Sequence, residues 1–165
     1  QRETAPQVDA LTGLVSRKAG EEMLAREVAK VGKGGGSVAI AVFDLDQLKE
    51  INETQGRQAG DEALRRVAKV LKSLGRPGDT IVRWGGMELL SLLPGLTRDD
   101  ARAWAERVRA ELERLGVEEP PCVTVSVGLA DFAAGDPLVT WAELVTQADG
   151  RLYMAKAQGR NRVEG

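Results

Sequence analysis

Histidine is absent from the 165 residues and cysteine occurs once, which removes Ser-His-Asp and Cys-His catalysis and any intrachain disulfide. With no histidine to help, one thiol cannot supply half of a tetrahedral zinc site. Proton transfer is left to carboxylates, Lys, Tyr or water. This cysteine usage makes the cytoplasm the expected compartment. Long apolar runs are also missing: the longest, Val38 to Phe43, has six residues, far short of a bilayer span, and no signal peptide is visible at the start. Charge of one sign is lacking too, since 23 Lys and Arg face 25 Asp and Glu for a net −2. That balance argues against duplex nucleic acid and against membrane contact, and leaves a local basic pocket for a small anion.

The length fits one domain with a substantial core. Residues 1–8, polar with Pro6, read as a linker tail from an upstream part of a longer protein, and 9–165 as a single domain. Apolar spacing predicts a helix through Ala19, Leu24 and Val28 to Gly32, then a glycine run and a buried strand from Val38 to Phe43. A short helix around Gln47 to Thr54 and a longer one ending at Gly75 follow. Thr80 to Trp84 and Glu88 to Leu93 read as a hairpin with Gly85 and Gly86 at positive φ. Thr97 with Asp100, and Thr140 with Glu143, are capping boxes opening two further helices on either side of a strand from Val123 to Leu129. The order is that of an α+β, ferredoxin-like sheet, with helices expected over one face.

Three constellations carry chemistry. Asp44 and Asp46 end the buried strand, and Glu88 follows the glycine hairpin beside it; oxygen-only ligands suit Mg²⁺ on nucleotide phosphates, but solvated strand-end acids and helix caps look the same. Arg76-Pro-Gly-Asp79 is a type II turn by its Pro and Gly positions. An ordinary turn is the better reading of these four residues alone; the functional one is a guanine clamp, in which a guanidinium fork bonds O6 and N7 and a carboxylate accepts from N1 and N2. Lys156, Arg160 and Arg162 gather where the last helix ends, placed to reach phosphates or simply to complement the helix dipole.

Taken in order, Asp9-Ala-Leu-Thr-Gly-Leu-Val-Ser-Arg17, Phe43-Asp-Leu-Asp-Gln-Leu-Lys-Glu-Ile-Asn52, Gly56-Arg-Gln-Ala-Gly-Asp61, Arg83-Trp-Gly-Gly-Met-Glu-Leu89, Ser126-Val-Gly-Leu-Ala130 and Ala148-Asp149 to Val163 resemble the GGDEF-type diguanylate cyclase family. The resemblance implies a palm-like sheet of the nucleotidyl-cyclase kind, antiparallel-containing and flanked by helices. It implies GTP held by Asn52, Asp61, Lys156 and Arg160, with Mg²⁺ on Asp44 and Glu88. It also implies two GTP joined into cyclic di-GMP with release of pyrophosphate, by two domains meeting face to face, with Glu88 as the remaining catalytic acid or base.

The signature departs from the family at two places: Met87 stands where the first acid belongs, and Leu89 where Phe belongs. Thioether sulfur neither suits a hard cation nor accepts a proton, so catalysis is expected to be feeble or absent. Arg76 and Asp79 match the family's inhibitory R-x-x-D site for cyclic di-GMP, and Arg83 resembles an additional arginine that reaches that ligand from a partner domain. The expected function is a non-catalytic cyclic di-GMP receptor whose dimerisation follows the ligand. A weak diguanylate cyclase and a GTP-binding regulatory module are the alternatives.

Overall fold

A computed structural model describes residues 7–165. Its elements, in chain order, are α1 (Arg17–Gly32), β1 (Ser37–Leu45), α2 (Leu48–Gln55), α3 (Arg57–Leu74), β2 (Thr80–Arg83), β3 (Glu88–Pro94), α4 (Arg98–Glu118), β4 (Val125–Ala133), α5 (Trp141–Ala157) and β5 (Arg162–Glu164). The strands form one sheet in the order β2-β3-β1-β4-β5. β1 is antiparallel to both β3 and β4, and β5 adds a short parallel edge to β4. This is the expected α+β, palm-like sheet.

β1 is central because eight of its nine residues are buried, so it feeds both faces of the sheet. Ala39, Ala41, Phe43 and Leu45 enter a cluster with α2, α3 and α4, while Val38, Ile40 and Val42 enter a second cluster with α1 and α5. Helices therefore cover both faces, which corrects the expectation of one. A strand apolar at every position, rather than at alternate ones, requires two covered faces.

Both capping boxes form, Thr97 with Asp100 on α4 and Thr140 with Glu143 on α5. The hairpin differs from its expectation. Neither Gly85 nor Gly86 is among the glycines with positive φ, and the loop closes with Trp84 N and Gly85 N both donating to Glu88 O. Gly85 to Met87 make a loop longer than two residues, which is free of the mirror-image turn that a two-residue connection demands. β5 has only three residues, too few for a periodic signal. Gln7 accepts from Ser16 N, and Val8 pairs with Val15; residues 1–6 of the expected tail lie outside the described residues. Among the described residues no helix is long and apolar enough to cross a membrane.

Candidate functional site

Asp44 sits near the end of β1, only 5% exposed, with Glu88 opposite it on β3 and Ser126 opposite on β4. Facing residues of an antiparallel pair share a face, so the Asp44 and Glu88 carboxylates meet on the side covered by α1 and α5. α5 lies close there because Gly128 of β4 has no side chain: a Cβ would fall 2.1 Å from Ala148 O and 2.4 Å from Leu152 N. The same approach delivers Asp149 and Lys156, which lie two turns apart on one face of the helix.

Lys156 Nζ is ion-paired with Asp44 Oδ2, while Asp44 Oδ1 is buried with no hydrogen-bond partner. From the other side Arg17 stands 4.2 Å over the Trp84 ring and donates to Trp84 O at 3.1 Å. Burial pushes the Glu88 carboxyl up, and the nearby Asp149 and Asp44 charges add to it against the pull of Lys156 and Arg17. Asp149 is pushed up as well, by burial, with Arg17 and Lys156 opposing. Three acids and two cations thus share this corner, a balance of one negative charge.

The Asp-x-Asp pair divides its labour. Asp46 accepts from Thr124 Oγ1 and Ser126 Oγ, each at 2.6 Å, and from Asn161 N at 3.0 Å. It therefore ties β1, the start of β4 and the turn after α5 together, and is spent on structure. That turn is unusual: Arg160 has φ 65° and Asn161 φ 46°, the left-handed region that a side chain such as Arg rarely adopts. The Asp46 bond to Asn161 N helps hold it, leaving the Arg160 side chain exposed at the end of α5.

On the α2–α3 side, a cavity of about 370 Å³ is lined by Asn52, Arg57, Asp61, Arg83 and Met87 among others. α2 and α3 approach closely because Gly60 is bare: a Cβ there would lie 1.7 Å from Asn52 Oδ1. Asn52 and Asp61 do not cap the helices, since Gly56 (φ 91°) forms the junction and neither helix start has a side-chain cap. Both line the cavity instead. The Met87 carbonyl accepts from Leu45 N at 3.3 Å, fixing the loop to β1, and the Met87 side chain is 41% exposed. The loop from Gly85 to Met87 thereby joins the cavity to the Asp44–Glu88 corner.

Arg83 belongs to this region. Its guanidinium donates to Gly85 O, Gly86 O and Asp9 Oδ2, each at 3.0 Å. Although burial raises the Asp9 carboxyl, its bonds from Thr12 and the Arg83 charge outweigh this and hold it below the usual range. The structure therefore groups Arg83 with the hairpin and the cavity, not with Arg76.

Arg76 and Asp79 come together at the far end of β2. Gly78 has φ 96° and Asp79 N donates to Arg76 O at 3.0 Å, as a type II turn requires. Asp79 also accepts from Arg76 N at 2.9 Å and from Arg76 Nη2 at 2.6 Å, and Arg76 Nη2 donates to Pro94 O at 2.8 Å. The Asp79 side chain is 4% exposed against 44% for Arg76, so the acid holds the fork and the fork meets solvent.

The profile of the family described as "Diguanylate cyclase, GGDEF domain" matches residues 6–162. The chain belongs to this family. It is 34% identical over 161 residues, 95% of the chain, to the diguanylate cyclase DosC of Escherichia coli K12, and covers 34% of that protein. It is 37% identical over 159 residues, 94% of the chain, to the diguanylate cyclase DgcP of Pseudomonas aeruginosa, and covers 23% of it. The chain thus spans about a third or less of these relatives. The GGDEF domain of DgcB from Caulobacter crescentus, solved in complex with c-di-GMP, superposes with a TM-score of 0.88 at 31% identity, covering 99% of this chain and 95% of that one.

GGDEF diguanylate cyclases use Mg²⁺. Among the described residues no cluster of three or more ligating side chains forms a ready cation cage. The donors nevertheless fit the ion: a buried, unpartnered Asp44 oxygen beside Glu88 is a pair of carboxylates of the kind Mg²⁺ uses together with substrate phosphates. Sequence reasoning did not single out Arg17, Trp84 or Asp149 as site residues. The Asp149 to Lys156 spacing of two turns was the available signal; nothing in the sequence paired Arg17 with Trp84.

Proposed function

We propose that this GGDEF domain is a receptor for cyclic di-GMP that uses Arg76 and Asp79 and has little or no cyclase activity of its own. Met87 carries the reading. Its backbone is pinned beside Asp44 and Glu88, where a second acid would complete the cation site, and its thioether supplies neither a hard oxygen ligand nor a base. Arg76, by contrast, is held ready on Asp79 and Pro94 O with its outer edge in solvent. The similar DgcB GGDEF domain was crystallised with c-di-GMP.

In this reading the Asn52–Asp61 cavity takes the guanine of GTP, with Lys156 and Arg160 toward its phosphates and Mg²⁺ weakly held by Asp44 and Glu88. Cyclic di-GMP bridges two copies, with Arg83 of the second copy released from its hairpin to join the ligand, and the signal passes to domains fused upstream. Calorimetry with cyclic di-GMP tests it. Arg76→Ala should lose roughly 10- to 150-fold in affinity, the worth of a charged hydrogen bond to the guanine. Equal binding by wild type and variant overturns the proposal.

A weak cyclase is the second reading, favoured by the unpartnered Asp44 oxygen and the raised Glu88 carboxyl, which suits a proton-transfer group. Cyclic di-GMP made from GTP and Mg²⁺ faster than by a Glu88→Ala control would establish it.

A further inference from the structure

We propose, building on the receptor reading, that Lys72 is a phosphate-binding residue of the Arg76 site: the ligand lays a guanine edge on Arg76 and a phosphodiester on Lys72. A cavity of about 270 Å³ opens beside the Arg76 turn, and Gly13, Lys72, Gly75, Arg76, Asp79 and Ile81 contribute to its lining. It lies where the opening loop, the end of α3 and the start of β2 meet, away from the Asn52–Asp61 cavity.

Lys72 is in the last turn of α3. The helix dipole favours a cation there, but it does not dictate where the ammonium goes. Gly13 does: at φ +71° and without a side chain, it leaves the Lys72 ammonium 3.4 Å from where a Cβ would stand. Lys72 is thereby laid across the bare backbone of the opening loop and into the cavity it shares with Arg76. No described carboxylate lies within ion-pair distance of it, and the Asp79 carboxylate that contributes to the same lining is already consumed by Arg76 and 4% exposed.

The polar chemistry left for a ligand is therefore cationic and of two kinds. Arg76 Nη1, the guanidinium nitrogen not taken by Asp79 or Pro94 O, can donate to a purine acceptor, and an ammonium on a flexible stem is a point charge suited to phosphate. A ligand that satisfies both carries a guanine and a phosphodiester close together, as cyclic di-GMP does. In this arrangement Asp79 orients Arg76, and Lys72 supplies the charge that Asp79 has neutralised.

Titration calorimetry with cyclic di-GMP at low and moderate salt tests the assignment on wild type, Lys72→Gln and Lys72→Arg. Lys72→Gln should bind about tenfold more weakly, the worth of one charged hydrogen bond, with a shallower salt dependence. Lys72→Arg should keep most of the affinity. Thermal unfolding of Lys72→Gln matching wild type separates a binding loss from a folding defect. Wild type and Lys72→Gln binding alike, with the same salt slope, overturns the assignment while leaving the receptor reading intact. Wild type that binds no cyclic di-GMP overturns both.

Discussion

Lys156 Nζ rests on one oxygen of Asp44 while the other oxygen of the same carboxylate, buried at the end of β1, has no partner. One charge is answered from within the chain, and one lone-pair direction is left for something else. Removing the answer exposes the cost. Lys156→Met should destabilise the domain by about 2 kcal/mol in urea unfolding, short of a fully buried pair because the Lys156 side chain is 35% exposed. Millimolar Mg²⁺ should recover part of that loss and stabilise the variant more than wild type, because a cation bound only by the folded state shifts unfolding. No Mg²⁺ effect on the variant would mean that Asp44 does not take a cation.

The receptor reading can be tested at Met87, whose backbone is anchored to Leu45 and which is exposed. Met87→Glu should raise cyclic di-GMP formation from GTP and Mg²⁺ by about 10²-fold or more, the usual worth of a positioned acid or base. Pyrophosphate release measures it. A folded Met87→Glu with no gain would overturn the role given to Met87.

Gly128 sets the distance between α5 and β4. Gly128→Val drives a branched side chain into the Ala148 and Leu152 backbone, which cannot step aside as a side-chain tip can. A loss of about 3 kcal/mol in chemical denaturation is expected, at the top of the overpacking range. On the reading that Lys156 reaches the phosphates of GTP, GTP binding should weaken in parallel, since Lys156 moves with the helix. Wild-type stability in this variant would show that the approach is less tight than described.

The pH dependence of stability should carry the mark of Glu88. Its carboxyl is raised from the ordinary 4.5 by burial first and then by Asp149 and Asp44, so the folded state holds this proton more tightly than the unfolded chain. The resulting stability is complete below the ordinary Glu range and is lost as pH rises through the raised value. Glu88→Gln should therefore be more stable than wild type at neutral pH, with the gap closing toward pH 4 in the absence of divalent cations. Asp9 acts with the opposite sign, its lowered carboxyl favouring the fold above the ordinary Asp range and losing that effect as pH falls. Identical pH profiles for wild type and Glu88→Gln would contradict this account.

Local signals were the legible ones. The capping boxes at Thr97 and Thr140, the type II turn at Gly78 and the buried run from Val38 to Phe43 lie within a few residues of one another along the chain. Asp44 opposite Glu88 is far from local, and it was legible only because each acid stands on a recognisable strand end. Family motifs carried the rest of the sequence reading, and the family is the right one.

By itself, then, the sequence determined the elements other than β5, the α+β class and the family. Only the tertiary structure decided that helices cover both faces and that Asp46 is spent on Thr124, Ser126 and Asn161. It alone placed Arg83 with Asp9 and brought Arg17 over Trp84. The physical reason is range. Caps, turns and periodicity are settled by neighbours along the chain, whereas the partner of a charged side chain is settled by which helix packs where. Here that depended on bare backbone at Gly60 and Gly128, which no pattern of polar and apolar residues reveals.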